Sequence, residues 1–445
     1  MEAVERKSTV TVLMDIDSIL AGVVDRYNKR GIYWTTYNII KELINNKNLK
    51  ITFITNKYTG EAYSQWCDEE PAFKNIDCIV DNYGNKFFLY THIARIKFRR
   101  KKRNSRNLIK KLVNFIFYMF FTVLDKCNKL FNSIFRKEIA ADFDVYQSMF
   151  YKIPNFIMKN TKIKKCILVH DVIPLIDSFG KVENKRGNIH SFLNIFENID
   201  SSVIFFCNSN FTKDDFLSFF PRYKNNRILI ANLAANREQF YKIENQDTAK
   251  TNSILNKYGI PLGKKYILSV SALDPRKNLR SLVNGFVDFL DSYSHIEDLY
   301  LVISGPYGLE DLHSPISKIK NRALKSKIII TGFIDKDDIN TVYNNAFCFA
   351  CLSFYEGFGL PILEAMQCGV PVISSNTSSM PEVYGDSAIG INPHSRNEFL
   401  AALREIYFNA DTRQTLAAKG LERSRLFTWS QTAKIFSDEY TNGLI

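Results

Sequence analysis

The sequence predicts an α/β protein made of two parallel-sheet domains, and three observations carry that expectation. Its 445 residues exceed what one compact core ordinarily holds. Short β-rich runs alternate with helical patterns, the order of βαβ units rather than of an all-helical or all-β chain. That alternation occurs twice, on either side of a polar stretch, "YKIENQDTAKTNSILNKYGIPLGKK", which contains Gly and Pro and has little β character.

The first series holds "TVTVLMDI", "LKITFIT" and "IDCIV", with "YWTTYNIIKELINN" as a helix between the first two, then "KKCILVHDVIPL" and "SSVIFFCNSN". The second runs from "KYILSVSAL" through "DLYLVISG", "KSKIIITGFI" and "NAFCFACLS" to "VPVISS". The predicted domains are residues 1–240 and 241–426, with a closing helix at 427–445. Ligands in such sheets bind beyond the carboxyl ends of the strands, which directs attention to the cleft between the domains.

Charge is concentrated in one place. Between Arg95 and Lys137 stand fourteen Lys or Arg and one acid, Asp125, which accounts for the whole net charge of +13. A basic cluster holding Arg99, Arg100, Lys101, Lys102 and Arg103 precedes an aromatic stretch with Phe117, Phe120 and Phe121. The apolar run from Leu112 to Leu124 is shorter than the roughly 20 residues needed to span a bilayer. A helix there would carry one narrow polar stripe opposite a wide apolar face, which suits the interface of an anionic membrane. Packing on another domain and nucleic-acid binding fit the same composition, but no nucleic-acid motif accompanies it, so no nucleic-acid partner is expected.

The eight cysteines are scattered, as for reduced thiols packed as small hydrophobes. Cys348 and Cys351 have C-x-x-C spacing, but they fall in a predicted buried strand where residues three apart face opposite ways. No secretory signal pattern opens "MEAVERKSTVTVLMD", so a cytoplasmic protein, peripherally attached to the inner membrane face, is expected.

The richest stretch for chemistry is "AFCFACLSFYEGFGLPILEAMQCGVPVISSN", which reads as strand, glycine turn, helix and strand. Gly357 and Gly359 allow close backbone approach, and the start of the helix attracts an anion. Glu356 falls in the turn and Glu364 in the helix's first turn, neither at an expected core position; two carboxylates beside an anion site suggest a ligand with phosphates and sugar hydroxyls. In "SVSALDPRKNLRSLV", Arg276, Lys277 and Arg280 gather where a strand meets a helix and suit a pyrophosphate. His170 and Asp171 close the strand "CILVH" of the first domain.

Together, "YEGFGLPILEAMQCGVPVISSNTSSMPEVYGDSA", with its E-x7-E region, "SVSALDPRKNLRSL", "VHDVIPL", "CNSNFTKDDF" and "TGFIDKDDI" resemble the retaining nucleotide-sugar glycosyltransferases of family 4, which have the GT-B fold of two Rossmann-like domains facing across a cleft. The resemblance implies that Arg276 and Lys277 hold the donor diphosphate, Glu356 contacts the transferred sugar and Glu364 takes the ribose hydroxyls. It further implies that Gly357, Phe358, Gly359 and Leu360 line the donor, that Gly332, Phe333 and Ile334 meet the base, and that His170 faces the reacting sugar. Gly31, in a loop similar to the family's acceptor loop, and Asp171 would meet the acceptor. The final "FTWSQTAKIFSDEY" is similar to the helix that crosses back onto the first domain. Ser271 stands where many members have arginine.

The implied reaction is hexosyl transfer with retention, needing no metal and no cofactor beyond the donor. A GDP-sugar of mannosyl type is expected, with a UDP-sugar left open, and a lipid-linked or glycan acceptor of bacterial surface polysaccharide. The alternatives are a sugar-nucleotide epimerase of the same fold, a catalytically silent membrane scaffold, or a metal-dependent transferase using the D-x-D of Asp15 and Asp17.

Overall fold

The computed structural model describes residues 9–25, 31–55, 60–80, 113, 115–120, 122–123, 142–176, 185–271, 274–305, 316, 319–442 and 444. Arg99, Arg100, Lys101, Lys102, Arg103 and Phe121 lie outside the described residues. Within that segment, residues 115–120 are helical, with Phe115, Ile116, Phe117, Met119 and Phe120 exposed.

Seven strands form the first sheet: β1 (Val10–Asp15), β2 (Leu49–Thr55), β3 (Cys78–Val80), β4 (Val145–Ser148), β5 (Lys164–Val169), β6 (Val203–Cys207) and β7 (Ile228–Ile230). They lie in the order β3-β2-β1-β4-β5-β6-β7. The second sheet holds β8 (Lys265–Val270), β9 (Leu299–Ser304), β10 (Ile328–Gly332), β11 (Cys348–Cys351), β12 (Val372–Ser375) and β13 (Ala388–Ile391), in the order β10-β9-β8-β11-β12-β13. Every described strand pair is parallel. The strand order reverses direction at β1/β4 and at β8/β11, so each domain opens a crevice at the carboxyl ends of those pairs.

The helices that cover these sheets are α1 (Asp17–Val24), α2 (Gly31–Leu43), α3 (Gly60–Glu69), α4 (Lys185–Ile195) and α5 (Asn210–Phe219) in the first domain. The second has α6 (Thr248–Lys257), α7 (Leu279–Ser292), α8 (Ile339–Asn344), α9 (Leu360–Gln367), α10 (Met380–Tyr384), α11 (Arg396–Phe408) and α12 (Ala410–Ser424), and α13 (Trp429–Thr441) closes the chain. Sheets covered on both faces need strands that are apolar on both faces. Strand β6, "VIFFC", is buried along its whole length. Helices need only a stripe: in α7 it consists of Leu279, Leu282, Val283, Phe286, Phe289 and Leu290.

Cys348 packs in the core on one face of the second sheet and Cys351 against the core on the other, and both are free thiols. Asp15 and Asp17 serve the β1–α1 turn. The Asp17 amide donates to Asp15 Oδ1 at 2.7 Å, the Thr55 hydroxyl donates to Asp17 Oδ1 at 2.5 Å, and both carboxylates are buried.

The two domains are joined by more than their linker. Leu233, Ala234 and Ala235, just past β7, already belong to the second domain's core. Helix α13 returns to the first domain, where Ala433, Phe436 and Tyr440 enter its core. The Phe436 ring stacks on Phe206 with centroids 4.0 Å apart, the Tyr440 hydroxyl donates to Gln147 Oε1 at 2.9 Å, and Glu439 pairs with Arg227 at 2.8 Å.

Phe436→Ala is expected to cost the first domain about 3–5 kcal/mol, the usual price of a buried aromatic truncation. Hydrogen exchange in β4–β6 should accelerate while β8–β12 stay protected, although the altered residue lies at the far end of the chain.

Candidate active site

The crevice of the second domain is organised by the ends of two adjacent strands. After β8 the chain makes a single 3-10 turn, Pro275–Lys277, whose start is capped by Asp274: its Oδ1 accepts from the Arg276 amide at 3.0 Å. Asn278, left-handed at φ 52°, then opens α7. After β11 comes the loop Leu352–Gly359. The two segments are tied by the Phe354 amide, which donates to the Arg276 carbonyl at 2.7 Å.

This brings together Arg276, Lys277 and Glu356. Lys277 Nζ donates to Glu356 Oε1 at 2.6 Å, and Arg276 Nη1 donates to Oε2 at 3.0 Å and to the Tyr355 carbonyl at 2.9 Å. Arg276 Nε pairs with Asp274 at 3.0 Å, and Ser353 donates to Glu356 Oε1 at 2.7 Å. Glu356 is therefore a buried carboxylate, 7% exposed, which corrects the expectation of a non-core turn position. Burial alone would raise its pKa, but the Lys277 ammonium and the Arg276 guanidinium more than offset this and hold it at about 2.

Glu364 is the fifth residue of α9, a full turn in, rather than in the first turn as expected. It accepts from the Tyr343 hydroxyl at 2.8 Å. Burial pushes its pKa up to about 7, and the Tyr343 hydrogen bond opposes this only in part. The two glutamates are thus set apart by their surroundings, one fully charged and the other at the edge of titration near neutrality.

The glycines divide by function. Gly359 has φ +107°, a conformation that permits the sharp entry into α9. Gly357 meets the other domain: a Cβ there would lie 2.8 Å from the His170 carbonyl and 3.0 Å from Asp171 Cβ. Among the described residues, the amides of Gly357, Phe358 and Gly359 have no hydrogen-bond partner. Phe358 and Ile334 are buried in the second domain's core, so their side chains are turned away from any ligand and only their backbones are available. Leu360 packs against that same core, whereas Phe333 is 71% exposed and Gly332 has φ +72°.

From the first domain, His170 Nε2 donates to the Met149 carbonyl at 2.8 Å, since a carbonyl can only accept, which leaves Nδ1 as an acceptor. Burial lowers its pKa to about 4, so the ring is neutral at neutral pH. Its carbonyl accepts from Asn208 Nδ2 at 2.7 Å. Asp171 Oδ1 accepts from the Ile173 amide at 3.0 Å, and burial raises its pKa. Gly31 begins α2 and is exposed. Ser353, Ser378, Ser379 and Thr212, which bond to Glu356, Gly357 and Phe358, and Glu382, which reaches the start of α5, carry no signal in the sequence that marks them; Ser378, Ser379 and Glu382 lie within the quoted "SSNTSSMPEV" without a role that spacing could reveal.

Two Rossmann-like domains meeting at the carboxyl ends of their strands, with a charged loop and helix start between them, define a GT-B protein. Residues 250–423 match the family model described as Glycosyl transferases group 1, so the second domain carries a domain of that type. It is 28% identical over 289 residues to O-antigen chain mannosyltransferase B of Escherichia coli, covering 64% of this chain and 72% of that protein. It is 27% identical over 287 residues to the serotype-specific mannosyltransferase WbdA of Escherichia coli, covering 63% of this chain but only 34% of that longer protein. Among solved structures, HepE of Anabaena in complex with UDP has the same fold, with a TM-score of 0.65 at 12% identity, covering 98% of this chain and 100% of that one.

The raised pKa of Glu364 has a signed consequence. The folded state holds its proton more tightly than the unfolded state, so the associated stability is complete below pH 4.5 and lost as pH rises through about 7. Denaturation of the wild type and Glu364→Gln should therefore diverge between pH 4.5 and 7.5, the wild type losing up to about 3 kcal/mol that the variant keeps. Parallel pH profiles would contradict the assignment.

Proposed function

We propose that this chain transfers a sugar of mannosyl type, with retention and without a metal ion, from a GDP-sugar to a lipid-linked or glycan acceptor of bacterial surface polysaccharide. The observation that carries the reading is the Glu356–Lys277–Arg276 cluster beside the unpartnered amides that open α9. The relatives support a mannosyl donor, one being named an O-antigen chain mannosyltransferase and the other a serotype-specific mannosyltransferase. HepE, solved with UDP, is the reason to test uridine donors alongside.

In this reading Lys277, Arg276 and the loop amides take the diphosphate and stabilise its growing negative charge as the glycosidic bond breaks. Glu356 accepts from hydroxyls of the transferred sugar and Glu364 from the ribose hydroxyls. The Gly332–Ile334 backbone with Phe333 meets the base, and His170 Nδ1 faces the sugar from the first domain. A phosphate oxygen takes the acceptor's proton on the same face of the sugar. Gly31 and Asp171 belong to the acceptor side.

Screening a panel of sugar nucleotides for hydrolysis and transfer by mass spectrometry, with and without EDTA, tests the reading. A GDP-sugar should turn over fastest, with equal rates in EDTA. Inversion at a sugar carbon of the donor with neither hydrolysis nor transfer, read by NMR, would instead indicate an epimerase.

Both cations already have carboxylate partners, so an incoming diphosphate competes with Glu356. Glu356→Gln should bind GDP several-fold more tightly while its transfer rate falls by about a hundredfold or more. Weaker GDP binding by calorimetry would overturn this use of the cations.

Membrane attachment is proposed through Arg99–Arg103 and the exposed apolar residues around Phe117 and Phe120. Among the described residues no helix is long and apolar enough to cross a membrane. Replacing Phe117 and Phe120 by Ser, and separately the five basic residues by Gln, should each weaken cosedimentation with phosphatidylglycerol vesicles, the second more steeply at low salt.

A further inference from the structure

The loop that carries Glu356 is also held to the other domain. Helix α5 of the first domain begins with amides that need acceptors. Ser209 Oγ supplies one, accepting from the Thr212 amide at 2.9 Å. Two others are satisfied from across the cleft: Glu382 Oε2 accepts from the Asn210 amide at 2.9 Å and from Asn210 Nδ2 at 3.2 Å, and Oε1 accepts from the Phe211 amide at 2.6 Å. A carboxylate from one domain thus caps a helix of the other.

The residues just before Glu382 hold the Glu356 loop. Ser378 Oγ accepts from the Glu356 amide at 3.0 Å, and Ser379 Oγ donates to the carbonyls of Glu356 at 2.8 Å and Phe358 at 3.0 Å. Behind them, Arg423 of α12 donates to the carbonyls of Glu382 at 2.7 Å and Val383 at 3.0 Å, which fixes the short helix α10. The loop itself reaches α5 directly: the Tyr355 hydroxyl donates to Asp215 at 2.6 Å and the Thr212 hydroxyl to the Gly357 carbonyl at 3.1 Å.

We propose that Ser378–Glu382 couples the closing of the two domains to the placement of Glu356, with Glu382 as the positioning residue. The coupling rests on the reading that sugar transfer takes place in this cleft. Every bond in the set is polar and could be replaced by water when the domains part, so the contact can be made and broken in each catalytic cycle. With the domains together, one segment of five residues grips α5 at one end and the backbone of Glu356 at the other. Glu356 is then aligned when the first domain, with His170 and the acceptor side, is in place.

Hydrogen exchange on the full chain, with GDP binding and steady-state transfer, tests this. Glu382→Ala should raise exchange in residues 208–216 and 355–359 by about tenfold or more and lower kcat by a similar factor, as expected for losing charged hydrogen bonds. GDP affinity should stay within about twofold, because the residues proposed to hold the diphosphate lie in one domain. Glu382→Gln, which keeps one carbonyl acceptor, should fall between the wild type and Ala in both readouts. Tyr355→Phe, which deletes a single hydroxyl, should move the same two segments in the same direction. Unchanged exchange in both segments would overturn the proposal. Equal loss of protection in β1 and β8 would also overturn it, since that marks a general loss of fold. The exchange arm needs no substrate, so a wild type that transfers no sugar would strike the proposed function while the exchange difference still decides the coupling.

Discussion

The constraint on which the site depends is the burial of one negative charge. An unpaired carboxylate at the depth of Glu356 would cost several kcal/mol or would take up a proton. It does neither because Lys277, Arg276 and Ser353 surround it with donors. Those donors come from the segments after β8 and β11, neighbours in the sheet at its point of reversal. The Asp274 cap, the left-handed Asn278 and the Phe354–Arg276 backbone bond are the local means by which two strand ends deliver opposite charges to one spot.

The same loop sets how closely the domains approach. Gly357 lies against the His170 carbonyl, and any side chain there would push the first domain away. That carbonyl is satisfied by Asn208 from its own domain, so the contact is one of shape on one side and hydrogen bonding on the other. The glycine looked from sequence like a place for a ligand to come close; the structure puts the partner domain on the side that a Cβ would occupy and leaves the amide without a partner among the described residues. The way the cleft closes and the way Glu356 is oriented are therefore consequences of one short loop.

The sheets were legible because strands buried on both faces must be written as continuous apolar runs, and because each ends in polar residues where the crevice opens. The E-x7-E spacing was legible as a loop followed by a helix start, since Gly359 and Pro361 have local meanings. What spacing could not show was the depth of Glu356, because its ion-pair partner Lys277 is 79 residues away and only sheet order makes them neighbours. Glu382 was hidden for the same reason, its partner Phe211 being 171 residues distant in the other domain. Ile334 was assigned to the base from its place in a motif, whereas its side chain obeys its apolar character and joins the core.

The charge arrangement bears on the proposed chemistry. Two cations, Lys277 and Arg276, face two carboxylates, Glu356 and Asp274, so the cluster is formally neutral before a donor arrives. Glycosyl transfer separates charge: the departing diphosphate becomes more negative and the anomeric carbon more positive. A cation that turns part of its hydrogen bonding from Glu356 to phosphate stabilises the first change, and it leaves Glu356 with more unshielded charge to stabilise the second. Cations without a counter-ion would also bind the diphosphate more tightly in the ground state, and only the part of their attraction that grows with the developing charge would accelerate the reaction. A counter-ion that is displaced in part when the donor binds, and further as the bond breaks, weakens the ground-state grip and leaves more of the same two positive charges to act in the transition state.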